Sequence, residues 1–126
     1  MTVEAQPEIV TVEDIVRFTA QKLWERQARD IVILDVEELV GYTDYFVIVS
    51  ARNERHIQAL QNHLDRQLRK SGFRSIGQNN QRNQRWAILD YNDFVVHIFQ
   101  IDQREVYDLE GLWHEAKQLD FEPSID

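Results

Sequence analysis

The chain has 126 residues, 43% hydrophobic and 29% charged, which suits a single domain (1–126) able to bury a real core. It contains no cysteine, so a disulfide framework, a thiolate metal site and a cysteine nucleophile are excluded. The net charge of −8 is unevenly spread: residues 1–51 hold ten acids and four bases, residues 52–85 two and eight, and residues 86–126 ten and two.

An acidic final third disfavours phosphate backbone as the main ligand and favours a basic protein partner. The Arg-rich middle, Arg82 and Arg85 included, reads first as a solvated helix face plus a loop, so nucleic-acid contact is secondary at most. No apolar run approaches membrane-spanning length, and the acidic opening MTVEAQPEIV resembles neither a signal nor a transit peptide. The expectation is a soluble, cytoplasmic protein without membrane contact.

In chain order, residues 1–10 are a polar lead expected to fray. Thr11 is placed to cap a first helix, with Asp14 at the third helical position as a near capping box and Val10 and Ile15 placed for a hydrophobic staple. Apolar positions 12, 15, 16 and 23, with Thr19 between, carry that helix to about Ala28; Trp24 can pack or lie at an edge. Asp30 to Val36 and Thr43 to Ser50 are apolar and rich in β-branched residues, as buried strands are, and Glu37 to Gly41 turns between them. Asn53 caps a long helix to about Lys70, with Ile57, Leu60, Leu64 and Leu68 on one face and Ser71-Gly72 as its left-handed stop. Phe73 to Ile76 reads as an edge strand, and Gly77 to Arg85 as a polar, mobile loop.

Trp86 to Phe99 reads as a hairpin turning at Asn92-Asp93, two residues that tolerate left-handed backbone. That turn sets Asp90 opposite Val95, Ile88 opposite His97 and Trp86 opposite Phe99. Ala87, Leu89, Tyr91, Phe94, Val96 and Ile98 then form an apolar core face. The other face mixes Trp86 and Phe99 with Asp90 and His97, a composition that suits a docking surface better than a core. Asp102 to His114 holds one or two short helices, and the acidic end from Lys117, with 118–126 flexible, is expected to be loose. The predicted fold is α+β: a mixed five-stranded sheet with helices packed on it and a parallel, right-handed strand–helix–strand crossover.

Several constellations have bland readings that outweigh chemical ones. Asp35 and Glu37, with Asp90 or Asp93, have the residue types of a Mg²⁺ site for nucleotidyl transfer, but no glycine cluster supplies a phosphate loop. His56 and His63 lie two helical turns apart, too far to share one metal, and read as surface residues. Ser50 lacks the flanking glycines of a nucleophile elbow and reads as a capping aid. Neither catalytic residues, a cofactor nor a metal is expected.

Three strings in series resemble one family: Thr43-Asp44-Tyr45-Phe46-Val47-Ile48; Trp86-x-x-Leu89-Asp90-Tyr91-x-Asp93-x-Val95-Val96-His97-Ile98-Phe99; and Arg104-Glu105-x-Tyr107-Asp108-Leu109-Glu110-x-Leu112-Trp113. They are similar, in order and spacing from about Val12 to Phe121, to the ribosomal silencing factor (RsfS, Iojap-like) family. Asn92 stands where that family usually has glycine, and Ala51-Arg52-Asn53 where it has a Gly-Thr-Ser-like stretch. The resemblance implies a non-enzymatic factor with nucleotidyltransferase-like topology. It would bind a basic protein on the intersubunit face of the large ribosomal subunit, block joining of the small subunit and repress translation when nutrients are scarce. The expected docking residues are Trp86, Asp90 and His97, with Asp93, Tyr107, Asp108 and Glu110 as a charged rim; Asp44 and Tyr45 belong either to the site or to the core. A homodimer off the ribosome is compatible with this reading. A residual metal-dependent nucleotidyltransferase and a homodimeric scaffold are the alternatives.

Overall fold

The computed structural model describes residues 9–78 and 85–125. Eleven elements follow in the order α1 (Val12–Glu25), β1 (Arg29–Asp35), α2 (Glu37–Val40), β2 (Tyr45–Ala51), α3 (Glu54–Lys70), β3 (Gly77–Gln78), β4 (Trp86–Asp90), β5 (Phe94–Gln100), α4 (Arg104–Tyr107), α5 (Leu109–Leu112) and β6 (Lys117–Leu119). The strands form one mixed sheet in the order β3-β4-β5-β2-β1-β6. Only β2 and β5 pair in parallel; the other neighbours are antiparallel. The chain leaving β2 through α3 therefore re-enters the sheet at β3 in the same direction as β2, with β5 and β4 between them.

The long helices begin and end where their side chains dictate. Thr11 Oγ1 accepts from the Asp14 N–H at 3.1 Å and the Asp14 carboxylate accepts from the Thr11 N–H at 3.1 Å, closing a capping box. The Val10 N–H, donating to the same carboxylate at 3.1 Å, and the Thr11 N–H hold the Asp14 carboxyl below its ordinary pKa. Val10 is 73% exposed and staples nothing; Ile9 packs on the core instead. Asn53 caps α3 by accepting from the His56 N–H at 2.8 Å. Gly72, at φ +90°, lets Phe73 N–H reach the Leu68 carbonyl and ends the helix.

Alternation along the strands makes two cores. One face packs Val47, Val49, Ala87, Leu89, Phe94, Val96 and Ile98 beneath the apolar stripes of α1 and α3. The other gathers Leu34, Val36, Phe46, Ile48, Val95 and Phe99 beneath Leu109 and Trp113 of the C-terminal segment. The hairpin register is as anticipated, with Asn92 left-handed at φ +72°.

Four expectations need correction. The edge strand lies at Gly77–Gln78, not Phe73–Ile76, because Ile76 N–H turns in to the Asp90 carbonyl and starts the pairing there. The stretch from Lys117 to Ile125 is not without structure: β6 adds a sixth strand beside β1, and the Ser124 N–H and carbonyl both pair with the Gln21 amide. His56 and His63 are each 7% exposed, since α1 packs across that flank of α3. His56 is paired on both nitrogens, accepting from the Arg52 N–H at 3.0 Å and meeting the Arg26 carbonyl at 2.8 Å. Ser50 is a buried strand residue that accepts from Arg104, not a cap. The proposed loop from Gly77 to Arg85 lies mostly outside the described residues, as do Arg82 and most of the N-terminal lead.

Candidate partner interface

The mixed sheet face is a second core whose margins stay open, rather than a bare docking surface. The reason is Asp108, left-handed at φ +45°, which ends α4 and starts α5 by capping the Gly111 N–H at 3.1 Å. That corner drops Leu109 onto Phe46, Val95 and Phe99. Arg104 clamps the corner to the strand ends. Its guanidinium meets Glu110 at 2.7 Å and Ser50 Oγ at 2.9 Å, and donates to the Asp30 carbonyl. Asp30 itself is left-handed at φ +52°, within an irregularity of the β1–β2 register.

Trp86 remains half-buried at the margin of this lid. Its ring stacks on Phe99 at 4.9 Å between centroids and meets Tyr107 at 4.8 Å. Its indole N–H donates to His97 Nδ1 at 3.1 Å. His97 is 5% exposed, so it supports Trp86 from beneath and is not itself part of an open surface. Burial pushes the His97 pKa down to about 4, which keeps the imidazole neutral and able to accept at physiological pH. Its Nε2 has no hydrogen-bond partner among the described residues.

The remaining sequence-predicted residues divide between the two ends of the hairpin. Tyr107 (47% exposed) meets Trp86, while Asp108 and Glu110 line a cavity of about 600 Å³ together with Asp30, Ser50, Ile101 and Arg104. Asp90 and Asp93 lie at the far end. Six residues of extended strand separate Asp93 from Phe99, roughly 20 Å. Asp90 accepts from the Asn92 N–H at 2.8 Å and so shapes the turn. Asp93 is exposed and lines a different, smaller cavity beside Phe73 and Tyr91. Tyr45 packs at the margin of the helix-covered core and so is not part of the lid. Asp35 caps the Glu37 N–H at 3.1 Å, and among the described residues no group of three His, Asp or Glu is arranged to hold a metal ion.

Sequence reasoning missed Tyr42 and Val106. Tyr42 is 63% exposed, sits 6.3 Å from the Phe46 ring, and has its pKa raised by partial burial and then by the Asp90 charge. Val106 is 72% exposed beside Tyr107. The signal for Tyr42 was Gly41, whose left-handed φ of +74° ends α2 and leaves the next side chain outside. The strip therefore runs from Tyr42 and Asp90 past the half-buried Ile88 and Trp86 to Val106, Tyr107 and Asp108. Its middle is apolar, and a carboxylate stands at either end, Asp90 at one and Asp108 at the other.

Comparison with known proteins bears on what such a strip serves. A family model described as "Ribosomal silencing factor during starvation" matches residues 10–126. The chain is 30% identical over 110 residues to the ribosomal silencing factor RsfS of Bacillus subtilis, spanning 87% of this chain and 93% of that one. It is 32% identical over 99 residues to RsfS of Haemophilus influenzae, spanning 79% and 97%. A mouse protein, "Mitochondrial assembly of ribosomal large subunit protein 1", is 33% identical over 94 residues, 72% of this chain but 41% of its own length. A crystal structure of a Chromobacterium violaceum protein superimposes with a TM-score of 0.79 at 23% identity, covering 91% of this chain and 95% of that one, which shows the shared fold.

Proposed function

The chain belongs to the ribosomal silencing factor family, and on that premise we propose that it represses translation by docking on the large ribosomal subunit and obstructing the small one. The observation that carries this reading is the Trp86 strip: a ring held from behind by His97 and Phe99, braced by Tyr107 and bordered by carboxylates. A pre-positioned aromatic anchor loses little conformational freedom on binding, and interfaces concentrate their energy on such residues. The border of Asp90, Asp108 and Glu110 steers a basic ribosomal protein on the intersubunit face. Glu110 is already paired with Arg104, so Asp90 and Asp108 supply more of the field. The mechanism is steric: no bond is made or broken, and occupancy of one protein face excludes an intersubunit bridge. The mouse relative, named for assembly of the ribosomal large subunit, is in keeping with a large-subunit partner.

Co-sedimentation with separated subunits at near-physiological salt tests the proposal. The expected result is pelleting with the large subunit alone and loss of joined ribosomes in its presence. Pelleting with neither subunit, or joining unaffected at saturation, would overturn it.

A further inference from the structure

Acids outnumber bases 22 to 14 in this chain, yet one exposed face carries cations alone. On α3, residues 55, 58, 59, 62, 66, 69 and 70 are exposed and recur at helical spacing, forming one stripe. Arg55, Arg66, Arg69 and Lys70 are its charged members; Gln58, Ala59 and Asn62 are neutral. The two acids of the helix, Glu54 and Asp65, lie at its margin and are half-buried, with Asp65 pairing Arg69 at 3.1 Å. The stripe spans about 22 Å at the rise of an α-helix.

α1 shows what a merely solvated face looks like here. It pairs Glu13 with Arg17 and Lys22 with Glu25 along its own surface. α3 also pairs Asp65 with Arg69, but it sets Arg66 three residues before Arg69 and four before Lys70, arrangements in which like charges repel. A bound polyanion relieves that repulsion. Where α1 meets α3, burial first and then Arg26 and Arg66 lower the pKa of His63, with Glu25 opposing them and Lys22 adding less, and its Nε2 has no hydrogen-bond partner among the described residues.

We infer that the outer face of α3 is a second interaction surface, one that takes the phosphate backbone of RNA. Guanidinium groups match phosphate oxygens in pairs, and an extended row of them fits a linear polyanion. α3 covers the sheet face opposite Trp86, so the protein strip and the cationic stripe can be occupied together. The stripe itself is independent of the docking reading; the choice of RNA over an acidic protein leans on the ribosomal family.

The test is fluorescence anisotropy with a labelled 16-base-pair RNA hairpin, titrated with the full chain from 50 to 200 mM KCl. Four phosphate contacts on a duplex predict a slope of about −3.6 in log K against log salt, hence roughly 150-fold weaker binding across that range. The variant with Arg55→Gln, Arg66→Gln, Arg69→Gln and Lys70→Gln changes only exposed helix positions to a good helix former. It should bind at least 10-fold more weakly with a flattened slope, while Trp86→Ala binds like wild type. Absence of binding at 50 mM KCl, or equal binding by the quadruple variant, overturns the inference. Tighter binding to poly-glutamate than to the hairpin assigns the face to an acidic protein and also overturns it. Subunit pelleting that survives the quadruple variant leaves the docking reading standing whichever way the hairpin result falls.

Discussion

One face of the sheet is closed by two amphipathic helices of 14 and 17 residues, the other by two four-residue helices and a corner. The helix-covered sheet face is lined mainly by aliphatic and aromatic side chains, and its helices carry their own caps and stops. The opposite face holds a histidine at its centre and a tryptophan at its margin. Single helical turns have almost no stability of their own, so that lid stands only because Leu109 is buried and Arg104 clamps it. The difference teaches where each face's energy goes. The first maximises burial, whereas the second keeps part of its apolar area available to a partner.

The comparison can be broken most sharply in the helix-covered core. Leu64, fully buried on α3, should cost about 3–4 kcal/mol when changed to alanine, lowering Tm by roughly 10 °C, with large-subunit affinity unchanged per folded molecule. Urea unfolding and co-sedimentation of the same preparation check both halves. A comparable loss of affinity would show that the faces are not separable.

On the other face, acid is the probe. The unfolded chain takes up the His97 proton near pH 6.5, whereas the folded chain holds it off until about pH 4. Between those values the unfolded state binds more protons, so stability rises with pH. The penalty is absent above 6.5 and complete below about 4, about 3 kcal/mol in all. The stability difference between wild type and His97→Phe should be flat above pH 6.5 and shift against wild type by that amount towards pH 4. A flat difference throughout would mean that His97 is solvated.

Smaller effects sharpen the division between anchor and rim. Trp86→Ala should weaken large-subunit binding by at least about 30-fold, or ~2 kcal/mol. Equal binding would remove the strip from the interface. Arg104→Met should cost about 1–2 kcal/mol of stability by unclamping the corner, read as faster amide exchange at Leu112 and Trp113. Asp93→Asn, far from Trp86, should change affinity by less than about threefold, its effect falling on the association rate and vanishing at high salt.

What was legible in the sequence follows from how local each cause is. Thr11 with Asp14, Asn53 and Ser71-Gly72 mark helix ends through bonds spanning only a few residues, and the hairpin register follows from a two-residue turn and the period of a strand. The family resemblance also lay in contiguous strings. The chain could not show which face of the hairpin stays open, because that depends on Leu109 and Trp113 folding back over Phe46 and Phe99. Nor could it show that His56, His63 and His97 are buried, since the packing of α1 and the C-terminal corner decides it. Trp86 and Tyr107 stand in ring contact, whereas Asp93, grouped with Tyr107 through shared chemistry, stands a strand's length from Trp86. Sequence by itself determined the two long helices, the central strands, the pairing of the hairpin and the family. Tertiary structure alone decided that the mixed face is a lidded core with an open margin, because contacts between residues distant in the chain leave no periodic trace in it.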